Sequence, residues 1–177
     1  MNEINYTQWA GIIGAGTVVL TCLLVSWCST YSRQTWSILA LFHLLFLFEI
    51  LLGYRHDAHD AFSNVLRHLS LYAEKQTAQI ILIIIATCLA ILITSWLISR
   101  IRNRPTTEKV AILASLMVFF LTVIEMISLH NIDAILYKSI GPISFIGWLW
   151  IICCTVTTCA SLFFIKSNSY LEANKLL

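Results

Sequence analysis

Apolar residues in this chain are gathered into blocks of about twenty, divided by short polar connections, rather than spread at the spacing of a half-buried surface helix. The blocks are 9–28, 36–54, 77–99, 110–130 and 143–165. Each is long enough, at about 1.5 Å per residue, to cross a hydrocarbon core of about 30 Å. Backbone groups in lipid must find their partners within the segment, so each block is predicted to be a helix. The expected fold is an all-α membrane protein, a single domain of five transmembrane helices. Trp9, Trp27, Trp36, Tyr54 and Trp96 stand near block ends, where amphipathic rings favour the interface.

The stretch 55–76 has a different rhythm. Ala58, Phe62, Val65, Leu69 and Tyr72 recur at helical spacing, while His56, Asp60, Ser63 and Arg67 form a polar stripe. This pattern predicts an amphipathic helix between spans 2 and 3, lying on the interface or prolonging the second span. Segment 131–142 is expected to be a shorter connection ended by Gly141-Pro142.

Composition agrees with lipid as the solvent, since 59% of residues are hydrophobic, 11% are charged and mean hydropathy is +0.83. A water-soluble domain would carry roughly a quarter charged residues. The net charge of +2 supplies no basic stripe, so nucleic acid is not an expected partner. All six cysteines lie in or at the end of apolar blocks, without a CxxC or a disulfide framework. The first residues lack the positive region of a secretory signal, so the first helix is expected to be retained.

Orientation follows from the connections. Arg33, Arg100, Arg102, Arg104, Lys109, Lys166 and Lys175 fall on one side and Arg55, Arg67, Lys75 and Lys138 on the other, seven against four. The positive-inside bias then predicts the N-terminus outside and the C-terminus in the cytoplasm.

Ionisable residues within spans are the strongest functional pointers, because one near the bilayer centre costs about 2.5–3.5 kcal/mol even on the lenient insertion scale. Glu49 on the second span and Glu125 on the fourth are predicted at a similar depth below the outer ends. Above them come Arg55, His56, Asp57, His59 and Asp60 from one helix, and His130 and Asp133 from the other. His56 follows Glu49 by seven residues, nearly on the same helix face, and Asp133 follows His130 by three. Carboxylates and imidazoles converging from facing helices are how bundles build metal sites, and mixed nitrogen and oxygen ligands suit iron or zinc. The candidate ligands are Glu49, His56, His59, Glu125 and His130, with Arg55, Asp60 and Asp133 behind them to orient imidazoles. The set departs from the Glu-x-x-His pattern of di-iron bundles, because His130 is five residues after Glu125, about 140° around the helix. A plainer account pairs Glu49 with Arg55 or Arg67 and leaves the histidines wet. A further one places Glu49 and Glu125 in a proton or ion path.

Smaller features remain. His43, in mid-span, is a possible haem ligand, but no second histidine stands at its depth, and a hydrogen bond between helices explains it better. Gly11, Gly14 and Gly16 allow close helix approach, either inside the chain, between copies or against other membrane subunits. Cys153, Thr157 and Ser161 make a second small-residue face on the last span.

Arg55-His56-Asp57-Ala58-His59-Asp60 and Ser128-Leu129-His130-Asn131-Ile132-Asp133 resemble elements of a group of small bacterial integral membrane proteins. Their pattern is Arg-x-x-x-His-Asp after one span and Ser-x-His-x-x-Asp closing a later one. The resemblance spans roughly 49–150 and implies a multi-pass protein of the bacterial inner membrane. It singles out Arg55, His59, Asp60, His130 and Asp133, and implies no particular reaction. The sequence therefore predicts a polar site for a metal or redox cofactor, with a non-catalytic subunit or assembly factor, or an ion-transport component, as the alternatives.

Overall fold

The computed structural model describes residues 5–29, 32–54, 61, 64, 75–127 and 130–173. Five helices among them are long and apolar enough to cross a membrane. They are α1 (Tyr6–Cys28), α2 (Arg33–Leu52), α3 (Lys75–Arg100), α4 (Thr106–Ile127) and α6 (Phe145–Ala173), with a short α5 (His130–Leu136) between the last two. The predicted amphipathic segment 55–76 lies almost wholly outside the described residues.

The ends of the helices follow from local chemistry. Asn5 caps α1 by accepting from the Gln8 backbone N–H at 2.8 Å, while the Gln8 side chain returns a bond to the Asn5 N–H at 3.1 Å. At the end of α2, Gly53 takes the left-handed conformation, φ 70°, which a side chain would oppose, and its N–H bonds to the Glu49 carbonyl at 2.8 Å. The described part of α4 runs to Ile127. The connection expected after it is more ordered than the sequence suggests. It contains α5 and then a hairpin of β1 (Ser139–Ile140) and β2 (Ile143–Ser144). Gly141, also at φ 70°, opens its turn. The α6 helix runs on past the apolar block, to Ala173.

Four of the long helices pack together. α1 lies between α2 and α6, and α4 closes the group against α6 and α2. α3 is set apart, because α4 is its principal neighbour and no residue in its most apolar window is buried. The interior has two apolar layers. One holds Val18, Cys22, Val25, Trp36, Leu39 and Phe164, the other Phe46, Ile50, Val118, Leu121, Ile146 and Trp150.

Outside and inside are inverted relative to a water-soluble protein. Leu20, Leu92, Phe163 and Trp27 face outward, whereas His43, Glu108, Thr157 and Ser161 have no exposed surface at all. Trp9, Trp27, Tyr54 and Trp96 turn outward as the sequence predicts. Trp36 does not, because its ring is buried against Phe164 at a centroid distance of 5.4 Å.

The glycine-rich face of α1 divides between two surroundings. A Cβ on Gly11 would stand 2.8 Å from the Ile50 Cδ1 atom, and one on Gly14 would stand 3.2 Å from the Cys154 Cβ atom. Both glycines thus serve contacts within the chain. Gly16 faces open space. The Thr157 and Ser161 face of α6 is likewise buried within the chain.

Candidate functional site

The helix ends collect two kinds of chemistry at opposite poles. Thr7 on α1 meets Ser144 on β2, and Gln79 on α3 reaches the last turn of α4. These contacts place the starts of α1, α3 and α6 with the ends of α2 and α4. Glu49, Glu125 and Asp133 all belong to this N-terminal end. The opposite end carries Arg33, Arg100, Arg102 and Arg104.

At the N-terminal end, α5 lays Ile132 and Leu136 onto the apolar layer of Ile146 and Trp150. That anchorage brings Tyr137, just past the helix, over α4, where its hydroxyl donates to the Glu125 carboxylate. Gln79 donates to the Ile127 carbonyl at 3.1 Å, satisfying one of the orphan acceptors that every helix C-terminus leaves. Thr7 Oγ1 and Ser144 Oγ stand 3.1 Å apart, and the Ser144 N–H bonds to Thr7 at 3.0 Å, which ties the hairpin to α1. Beside these groups is a pocket of about 400 Å³, with Asn5, Gln8, Tyr137, Ser139, Ser144 and Trp150 among its lining residues.

The carboxylates here are sheltered. Both oxygens of Glu49, Oε2 of Glu125 and Oδ1 of Asp133 are shielded from solvent. The structure thus sets three of the predicted site residues at one end of the bundle. His130 opens α5, three residues before Asp133. Arg55, His56, His59 and Asp60 lie outside the described residues. Among the described residues, no three His, Cys, Asp or Glu side chains stand close enough to hold a metal ion.

A second polar system lies at the seam where α2 meets α4, where sequence reasoning expected the helix-to-helix hydrogen bond of His43 but missed Glu108 and Ser32. The buried face of α4 carries Glu108, Ala111, Ser115, Val118, Leu121 and Glu125. At the arginine-rich end, the fully buried Glu108 accepts from the Ser32 hydroxyl, and Arg104 stands 3.6 Å from its other oxygen. Glu108 lies in the first turn of α4, where the helix dipole favours a negative charge. In the sequence it reads as one more wet charge in a polar connection, since its partner Ser32 is 76 residues away.

Midway along the seam, His43 Nε2 and Ser115 Oγ are 3.0 Å apart. Ser115 spends its single proton on the Ala111 carbonyl, 2.9 Å away, so the imidazole is the donor between them. A neutral His43 is therefore the Nε2–H tautomer by this network. Its Nδ1 is a buried acceptor with no hydrogen-bond partner among the described residues. A hydrogen bond between membrane helices contributes on average about 0.6 kcal/mol. Leaving a buried acceptor unmet costs about 1–3 kcal/mol.

No family model, no curated protein and no solved structure matches the chain.

Proposed function

We propose that this chain is a multi-pass integral membrane protein that holds a metal ion or redox cofactor at the N-terminal end of its bundle. The observation that carries the membrane reading is the inverted polarity. Outward-facing Leu20, Leu92 and Phe163 need an apolar solvent, while buried Glu108, His43 and Glu125 find their partners within the chain. Five helices of sufficient length make lipid the natural solvent. The clustering of arginines at the opposite end supports an orientation with the N-terminus outside and the C-terminus in the cytoplasm. A bacterial inner membrane is the compartment that the sequence resemblance implies.

The finer reading places the ligand among Glu49, Glu125 and His130, completed by His56 and His59, with Arg55, Asp60 and Asp133 orienting them. The sheltered carboxylates support it, because a buried acid is stabilised by a cation or by donors such as Tyr137. Such ligands suit iron or zinc. Elemental analysis and an absorption spectrum of the detergent-purified protein test this directly. The expected result is stoichiometric metal, reduced in Glu125→Gln and His130→Ala. A metal-free, colourless protein contradicts the site reading.

A second reading, a subunit of a larger membrane complex, draws on the isolation of α3, whose apolar surface lies almost wholly outside the bundle. Copurification of a stoichiometric partner from mild detergent, lost when outward residues such as Leu89 and Leu92 are changed, is its expected signature.

A further inference from the structure

We propose that the pocket between the start of α1 and the hairpin binds the ring of a neutral, carbonyl-bearing molecule, the chemistry of a quinone. This rests on the membrane-spanning reading above, because lipid is the solvent that brings such a ring to the chain. The metal reading does not enter, since neither Glu49 nor Glu125 lines this pocket. The space of about 400 Å³ is bounded by Asn5 and Gln8 at the start of α1, Tyr137 and Ser139 after α5, Ser144 on β2 and Trp150 on α6. That volume falls within the range of small-molecule sites, roughly 300–1,000 Å³.

The hydrogen bonds already made decide what the pocket has left to offer. Asn5 Oδ1 accepts from the Gln8 backbone N–H at 2.8 Å, and Gln8 Oε1 accepts from the Asn5 N–H at 3.1 Å. A backbone N–H only donates, so these bonds fix which end of each amide is oxygen. Both side-chain oxygens are thereby held by the helix start, and the amide nitrogens of Asn5 and Gln8 keep their donors, with no hydrogen-bond partner among the described residues. Thr7 Oγ1 accepts the Ser144 N–H and donates its own proton to Ser144 Oγ, which leaves the Ser144 hydroxyl hydrogen uncommitted. The Tyr137 proton is held by the Glu125 carboxylate. The wall of the pocket is thus rich in donors, and the positive end of the α1 dipole adds to that character.

This inventory selects the ligand. Oxygens that accept without donating match it, as carbonyl oxygens do. A polyol brings a proton with every oxygen and finds few acceptors for them. A charged ligand is a poorer match, because no Asp, Glu, Lys, Arg or His is among the described residues that line the pocket. An anion would also face the Glu125 carboxylate behind Tyr137. Tyr6, Tyr137 and Trp150 supply aromatic surface, which suits a flat conjugated ring. A quinone joins that ring to acceptor oxygens and carries no charge.

The test is equilibrium dialysis of a short-tailed benzoquinone against the full chain, purified in a detergent without a sugar head group, with empty micelles as the measure of simple partition. Saturable, stoichiometric binding is expected. Asn5→Asp and Gln8→Glu keep the oxygens that cap α1 and remove the amide donors, so each should weaken binding about tenfold while the melting temperature holds. The hydroquinone, which must place its own protons, should bind more weakly than the quinone. Arg102→Gln, at the opposite end of the bundle, should bind as the native chain does. Uptake no greater than that of empty micelles overturns the proposal, as does native affinity in folded Asn5→Asp or Gln8→Glu. Equal binding of the hydroquinone, or displacement of the quinone by inorganic phosphate, overturns the ligand class. A chain that binds the quinone yet leaves the membrane in carbonate overturns the membrane reading instead, so the two failures are distinguishable.

Discussion

Glu108 shows how much a single side chain depends on its surroundings here. Its carboxylate has no exposed surface and relies on the Ser32 hydroxyl, with the half-exposed Arg104 3.6 Å away. Removing the hydroxyl strands a buried acid. Ser32→Ala is therefore expected to destabilise the bundle by about 1–3 kcal/mol, read as a lower melting temperature in detergent. In the Glu108→Gln background the same change should cost less, because the charge is gone, and a double-mutant cycle measures that coupling. Equal costs in both backgrounds contradict the pairing. Nothing in the sequence could reveal this contact, since Glu108 follows Pro105-Thr106-Thr107 and reads as an ordinary first-turn acid. Glu49 and Glu125 were legible, because each interrupts an apolar block.

At the scale of the elements, the long helices were legible and their neighbours were not. A block of about twenty apolar residues fixes a helix whatever it packs against, whereas the partner of a glycine depends on the fold. Gly11 abuts Ile50 and Trp150, Gly14 abuts Cys154, and Gly16 abuts nothing within 4 Å. Gly11→Val is accordingly expected to cost about 1–3 kcal/mol by overpacking the junction of α1, α2 and α6. Gly16→Val should change stability by less than about 0.5 kcal/mol, as for other surface positions. Thermal melts of the two variants in one detergent decide this, and equal losses would contradict the packing of α1. The hairpin after α5 was also illegible, because it rests on distant Thr7 and on the anchorage of Leu136 rather than on strand-forming sequence. α3 makes a complementary prediction. Spin labels at Leu89→Cys and Leu92→Cys should be accessible to oxygen dissolved in lipid, whereas one at Ala114→Cys on the inner face of α4 should be shielded. Similar accessibility at all three sites would contradict the separation of α3 from the core.

The bundle has a largely apolar exterior, with His43, Ser115 and Thr157 folded inward, and each functional proposal depends on lipid surrounding it. In water the exposed faces of α1, α3 and α6 would drive association, as large contiguous apolar surfaces do. In a bilayer they are the solvated surface, and the interior pairs at Glu125, His43 and Glu108 become the costly and informative positions. The most direct measurement is the behaviour of the full chain in isolated membranes washed with alkaline carbonate and, in parallel, with mild detergent. The account predicts that the chain stays in the membrane pellet through carbonate and is released only by detergent. Release into the carbonate supernatant would contradict it.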